Sequence, residues 1–335
     1  MRAIINRKDF QKSLIALRFK SCWQTDYVHF NGGYIYTFDD ERVNMLPYPL
    51  KYSGAVHLKH LIASLGGKEE SVELIWNARK SKSGKGCLTV VNGSQTAELT
   101  GQPLDTDVFD VHAGKEVKWC KLSNDFFDGI EMLEKTVSRD APNFQLSSIH
   151  CTPKYFEAAS ASQIYRAYHS LPANFEFLIR YGVLKGIRKG ADQIARTQQH
   201  CYFRYDTGLV VAIRIFNEPY LKSVAKKIEQ ERAGCSVRLP AELRKAIEKA
   251  KIFTEDQQVF ACVINDGMCT ITAKNANGEY TASAKIDYAG DEVSFTIRAK
   301  VLIDVLKFDQ ECIIADDCIK VENDRFVFLS GIARI

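Results

Sequence analysis

Three stretches of this chain carry the same apolar stripe at one spacing. Asp9 to Leu17 sets Phe10, Leu14 and Leu17 at i, i+4 and i+7, the pattern that lines one face of an α-helix, and Asp9 is placed to cap its start. At 116 positions further on, Asp125 to Leu133 repeats the stripe through Phe126, Ile130 and Leu133 and on to Val137. After another 116 positions, the segment behind Pro240 repeats it through Leu243, Ala246, Ile247 and Ala250. Solenoid repeats recur every 20 to 50 residues or so, so a period this long means whole domains copied in tandem.

The β-branched and aromatic runs after each helix recur as well. Tyr27 to Phe30 and Tyr34 to Phe38 flank Asn31-Gly32-Gly33, and Phe260 to Ile264 and Met268 to Ala273 flank Asn265-Asp266-Gly267, both of which predict hairpins. Gln145 to Cys151 and Tyr155 to Ala161 around Thr152-Pro153-Lys154 give a weaker form of the same signal. A second short helix is expected in each third, at Val56 to Leu65, Gly182 to Lys189 and Arg298 to Phe308. Another hairpin comes after each, turning at Asn92-Gly93, Asp206-Thr207-Gly208 and Asn323-Asp324. The 335 residues therefore divide into three α+β domains of one type, 1–118, 119–230 and 231–335, each made of two similar halves. Fused copies packed edge to edge can curve into an arc, and an arc that pairs with itself can close a ring without leaving sheet edges exposed.

With 46% hydrophobic and 26% charged residues and no low-complexity tract, the composition excludes disorder. No apolar run reaches the roughly 18 residues that would suggest a membrane span, and Met1 to Lys8 is not followed by a signal-peptide core, so neither a membrane nor a secreted protein is expected. The 10 cysteines, scattered without a CxxC pair, read as reduced, buried thiols of a cytosolic protein. Formal charge is only +4, and the last third is acidic, with 14 basic against 17 acidic residues. Tight electrostatic binding of nucleic acid is disfavoured by so small a surplus, whereas weak contact is compatible with it.

Several segments, in this order, resemble the bacterial-type DNA polymerase sliding clamp, the beta subunit and processivity factor of the replicative polymerase, over essentially the whole chain. Ile286 to Phe295 is similar to the family's strand with a Tyr-x-Gly turn, and Val301 to Lys307 is similar to its "YLLDVL" helix except at the aromatic. Phe326-Val327-Phe328 leads to a chain end in Arg334-Ile335, and Ile130 to Arg139 followed by Ala158 to Tyr168 resembles the family's helix and "ATDGHRL" strand end. The sequence departs from the family at Ser162-Gln163-Ile164-Tyr165 before Arg166, and at Gly331-Ile332-Ala333-Arg334 in place of Met-Pro-Met-Arg. A divergent member, such as one encoded by a virus of bacteria, fits these departures.

The resemblance implies three tandem clamp domains, each with two helices on antiparallel sheets, forming half of a ring. The ring would be a head-to-tail homodimer with twelve helices facing a hole threaded by double-stranded DNA. Retention would then be topological and indifferent to sequence, with weak, water-bridged phosphate contacts. It implies a non-enzymatic cytoplasmic protein of a bacterial or phage-infected cell, with no cofactor and no metal. DNA polymerase and clamp loader would bind it through short peptide motifs. The candidate DNA-facing set is Lys12, Arg18, Lys59, Lys135, Arg139, Lys185, Arg188, Lys189, Lys245, Lys249, Lys251, Lys300 and Lys307. These residues would equally suit any solvated helix face, often in pairs such as Glu131 with Lys135. By position, Ile164, Tyr165, Arg166, Pro219, Val224, Ile332 and Arg334 would line the groove for partner peptides, and ordinary strand-end packing is the competing reading.

Enzyme motifs find little support. Ser83-Gly84-Lys85-Gly86 lacks the upstream glycine and the Ser or Thr of a phosphate-binding loop. Asp105, Asp107, Asp110 and His112 lack the EF-hand glycine and terminal glutamate and read as a solvated turn. His57 and His60 lack the glutamate of HExxH, and no cysteine group has zinc spacing. The alternative to a clamp is a monomeric nucleic-acid-binding protein or nucleic-acid-processing enzyme whose repeated domains form an open saddle.

Overall fold

The computed structural model describes residues 1–19, 26–77, 86–113, 116–133, 136–137, 143–172, 174–184, 187, 190–254, 259–308 and 311–334. The period of the sequence reappears as a period of elements. The first third runs β1 (Arg2–Asn6), α1 (Arg7–Leu17), β2 (Tyr27–Asn31), β3 (Tyr34–Phe38), β4 (Arg42–Pro47), β5 (Ser53–His57), α2 (Leu58–Ser64), β6 (Ser71–Asn77), β7 (Cys87–Asn92) and β8 (Gln95–Thr100), then α3 (Thr106–Ala113). The middle third runs β9 (Cys120–Lys121), α4 (Asn124–Leu133), β10 (Ser148–Cys151), β11 (Tyr155–Ala159), β12 (Gln163–Tyr168), β13 (Phe177–Arg180), α5 (Tyr181–Leu184), β14 (Ala191–Arg196), β15 (His200–Tyr205) and β16 (Val210–Arg214), then α6 (Lys222–Glu229). The last third runs β17 (Gly234–Arg238), α7 (Leu243–Ala250), β18 (Val259–Asn265), β19 (Met268–Asn275), β20 (Gly278–Lys285), β21 (Val293–Arg298), α8 (Ala299–Phe308), β22 (Glu311–Ala315), β23 (Cys318–Glu322), β24 (Phe326–Gly331) and β25 (Ala333–Arg334).

These elements form two compact units, Met1–Phe127 with Gly182–Asn217, and Asp128–Tyr181 with Glu218–Ile335. The first unit holds a four-stranded sheet, β1-β6-β7-β8, and an eight-stranded sheet, β5-β2-β3-β4-β16-β15-β14-β9. The second holds an eight-stranded sheet, β13-β10-β11-β12-β24-β23-β22-β17, and a five-stranded sheet, β20-β19-β18-β21-β25. Every pairing among the described residues is antiparallel, and in both eight-stranded sheets the third strand after one repeat's first helix pairs with the third strand after the next repeat's second helix. Val43 of β4 lies opposite Ala212 of β16, and Ile164 of β12 opposite Leu329 of β24. The same rule leaves β8 and β20 at sheet edges.

Helices α1, α2, α4, α7 and α8 form where the stripes predict. Of the helix expected over 182–189 the structure describes the short α5, and residues 185, 186, 188 and 189 lie outside the described ones. Phe10, Leu14 and Leu17 of α1 are fully buried, as are Leu243, Ile247 and Ala250 of α7 to within 1%. Each large side chain so buried contributes about 1.5–3 kcal/mol. The cap of α1 is Asn6 rather than Asp9: the Asn6 side chain accepts from the Asp9 amide at 3.0 Å. Asp9 instead supplies negative charge to the first turn, where the helix dipole favours it. The hairpins turn as their residues require. Gly32 and Gly33 both take positive φ between β2 and β3, and Asp266 with Gly267 does so between β18 and β19, the backbone that two-residue turns demand.

α3 occupies the stretch expected to be a solvated turn. The Asp105 carboxylate accepts from the Val108 amide at 3.4 Å, at the start of the helix. Val108 packs on a cluster of Val43, Ala195, Tyr202 and Ala212, and the Phe109 ring lies 5.5 and 5.6 Å from those of Tyr34 and Tyr36. Partial burial of these two side chains against the sheet sets the segment as a helix, whereas the aspartates alone suggested a turn. Among the described residues no helix is long and apolar enough to cross a membrane.

Candidate peptide groove and basic helix faces

A cavity of about 190 Å³ opens in the second unit where β11, β12, β24 and α6 meet. Its apolar surface includes Ile164 and Leu329, a cross-strand pair of β12 and β24, with Leu221 and Val224 at the start of α6 and Leu146 and Ala159 beside them. The start of α6 is held by the chain before it. Pro219 accepts a hydrogen bond from Gln145 Nε2 at 2.9 Å through its carbonyl, and the ring of Tyr220 stacks on His150 at 4.9 Å. On the opposite wall the Gly331 amide donates to the Ser162 carbonyl at 2.8 Å, fixing the end of β24 against the turn before β12.

The charged members of the lining are Lys227, Arg232 and Asp317. An Arg232 guanidinium nitrogen donates to Asp317 Oδ1 at 2.6 Å. Desolvation pushes the Asp317 carboxyl up, but its hydrogen bond to Arg232 and the guanidinium charge outweigh that and hold it below its ordinary value. Burial pushes the neighbouring Cys318 thiol up to about 11, so it stays protonated at neutral pH.

Two residues of the groove set expected from sequence line this cavity, Ile164 and Val224. Tyr165 is buried and stacks on Phe326 at 5.5 Å, and Arg166 is buried in an ion pair with Glu157. Pro219 is exposed and anchors the approach to α6, and the Ile332 amide donates to the Asp317 carbonyl at 3.0 Å, one residue past the lining. Arg334 lies in β25, whose backbone pairs with β21. Sequence reading passed over Leu221, Lys227, Arg232, Asp317 and Leu329. Leu221, Val224 and Ile228 stand at i, i+3 and i+7, a stripe that marks α6 and was legible in principle.

Of the candidate DNA-facing residues, Lys12, Arg18, Lys59, Lys245, Lys249, Lys300 and Lys307 are exposed, off the buried stripes of their helices. Lys251 is half-buried, with Nζ 3.0 Å from Glu248 Oε2, and Lys307 Nζ lies 3.9 Å from Asp304 Oδ1. Lys135, Arg139, Lys185, Arg188 and Lys189 lie outside the described residues, as do Ser83, Gly84 and Lys85. α1 packs beside α2 and α7 beside α8, so the basic side chains come in paired-helix groups. Among the described residues no three His, Cys, Asp or Glu side chains form a group that could hold a metal ion.

No protein-family model matches the sequence, and no curated protein matches it. Solved structures do match, at full length on both sides. DNA polymerase III subunit beta from Pseudomonas aeruginosa superimposes with a TM-score of 0.81 at 12% identity, covering 100% of both chains. The chain has the sliding-clamp fold. A putative DNA polymerase III beta subunit from Eubacterium rectale gives 0.83 at 14% identity, and pol III beta from Caulobacter crescentus gives 0.82 at 14%, each again over 100% of both chains. With so few identical residues, the sliding-clamp fold is kept here by pattern: the helix stripes, the turns and the strand-pairing rule.

Proposed function

We propose that this chain is a DNA sliding clamp: a head-to-tail homodimer that closes a ring around duplex DNA and tethers the replicative DNA polymerase, with no catalysis of its own. The observation that carries the reading is the unfinished pairing series. β4 pairs with β16 and β12 with β24, each joining one repeat to the next, and β20 and β8 are left as the corresponding open edges. Pairing β20 of one copy with β8 of a second satisfies both of these edges, and doing so twice closes the assembly with neither of them left open. Three tandem domains, 1–118, 119–230 and 231–335, would then make each half of the ring.

Side chains at the β20 edge support this. Ile252 is 77% exposed, and Phe253 next to it stacks on Tyr280 of β20 at 5.6 Å. An exposed isoleucine beside an eight-residue open edge suits an interface between copies. The paired helices would line the hole and offer their lysines and arginines to phosphates through water, weakly enough for the ring to slide. The groove of the second unit would receive short segments of DNA polymerase and of the clamp loader that opens the ring, with an apolar side chain as anchor. The structural neighbours, described as DNA polymerase III beta subunits, support the same activity. Such a clamp would work in the cytoplasm of a bacterial or phage-infected cell.

Retention on DNA tests this. A dimer loaded on a nicked circle is expected to stay bound through high salt and to be lost when the circle is cut. Equal retention on circular and linear DNA, or a monomer in solution at micromolar concentration, would overturn the ring and favour an open saddle.

A further inference from the structure

The two histidines that fit no zinc motif lie together where β5 runs into α2. The rings of His57 and His60 stack with their centroids 4.2 Å apart and 19° between their planes. The edge of Tyr27 meets His57 at 5.7 Å, and His57 Nε2 lies 4.0 Å from Asp26 Oδ2. His57 Nδ1 is withdrawn from water, so Nε2 is the nitrogen turned toward the carboxylate. Lys59 and His60 are exposed on the same helix.

The same place in the other two thirds is arginine. Arg180 directly precedes α5 and Arg298 directly precedes α8, both exposed, as His57 directly precedes α2. All three repeats therefore set a cationic residue type at the entry to the second helix. Its charge is permanent in two of them, whereas histidine is the side chain that ordinarily changes charge between pH 5 and 8. Neighbouring charges decide what a proton does at the first. With both rings neutral, Asp26 and Lys59 cancel, and one proton leaves the group positive. A second proton on a ring stacked against the first is resisted by like charge. Of the elements packed against α2, α1 brings Arg7, Lys8, Asp9 and Lys12, β8 brings Glu98, and β5 brings no titratable group besides His57. These surroundings are weighted toward positive charge, so an anion arriving at the pair favours proton uptake, and by linkage a proton favours the anion.

We propose that His57 and His60 form a proton-dependent phosphate contact, which gains charge in mild acid and then holds the backbone of duplex DNA more firmly. The proposal rests on reading the paired helices as the wall of a hole for DNA. Each copy contributes one such pair, set among lysines and arginines whose charge does not change over the same range. Mild acid therefore strengthens the grip on phosphates and leaves the interface between copies alone.

The probe is a short rhodamine-labelled duplex of mixed sequence. Its association with the full chain is read by anisotropy over a salt series at about pH 7.5 and about pH 6. The logarithmic salt slope is expected to steepen at the lower pH by up to about 0.9 for each histidine pair. In the double variant His57→Gln with His60→Gln the two slopes should coincide at the shallower value. His57→Arg, which gives the first third the residue type of the other two, should show the steeper slope at both pH values. A slope that does not change with pH in the unaltered chain overturns the proposal, and so does a pH difference that persists in the double variant. If retention on a nicked circle still depends on the circle being closed, either result removes only the proton-dependent contact. Loss of that dependence removes the ring, and this proposal with it.

Discussion

Arg166 donates two hydrogen bonds to one carboxylate oxygen of Glu157, from Nε at 3.0 Å and from a terminal nitrogen at 2.7 Å, with both side chains buried. The other Glu157 oxygen lies 2.8 Å from His150 Nδ1, and the Arg166 guanidinium sits 3.9 Å over the ring of Tyr155. Each partner therefore neutralises a charge that the interior would otherwise leave bare. Arg166→Ala strips Glu157 of its counter-charge and is expected to destabilise the second unit by about 3–5 kcal/mol. Lys at this position cannot reproduce the two-nitrogen geometry and should rescue only part of the loss. Hydrogen exchange on β11 and β12 measures this, and near-normal protection in Arg166→Ala would refute it.

Burial holds the pKa of His29 and of His169 down to about 4, against smaller upward effects from Asp105 on the first and from a backbone hydrogen bond at Tyr155 on the second. Their ordinary value is 6.5. As pH falls below 6.5 the unfolded chain binds protons that the folded chain refuses, so stability drops until about pH 4, where the folded form protonates too and the loss levels off. The slope contributed by each histidine approaches about 1.4 kcal/mol per pH unit in that window. Urea midpoints at about pH 7.5, 6 and 5 should fall in order, and His169→Gln should flatten the decline in the second unit. A flat profile in the unaltered chain would contradict the assignment.

Ile252→Asp places a charge on a side chain that the isolated chain leaves in water, so the fold should survive. In the proposed dimer the same position is covered, and burying the aspartate there should weaken association on the order of a hundredfold. Analytical ultracentrifugation is expected to show a folded monomer. An unaltered dimer would remove this surface from the interface.

Lys245 and Lys249 are exposed on α7 over a stripe that is buried, so changing both to Gln leaves the packing alone. If both meet phosphates, the dependence of DNA association on salt should weaken by about 0.9 per residue in logarithmic slope. Dimer mass should not change. An unaltered slope would assign these lysines to solvation only.

The segments that could be read from the chain were those whose cause is local. Phe10, Leu14 and Leu17 make a helix face by spacing alone, and Gly32-Gly33 and Asp266-Gly267 make turns because few other pairs tolerate their backbone. α3 and α6 were missed for one shared reason. In each, a few apolar side chains stand among charges, so the α3 aspartates suggested a turn and the α6 stretch drew no helix assignment, and only the surface beneath Val108, Phe109 and Val224 decides for a helix. Arg166 shows the reverse case, a residue assigned to the groove by position whose side chain is tied instead to Glu157 within the sheet.

The chain by itself determined the period, the helix stripes and the hairpins, since each depends on residues a few positions apart. Which strand lies beside which was decided only in three dimensions. Ile164 meets Leu329 across 165 positions, and that meeting makes the floor of the groove. A strand edge offers the same row of amides and carbonyls whatever its side chains, so the choice among distant partners falls to the packing of whole sheets and helices.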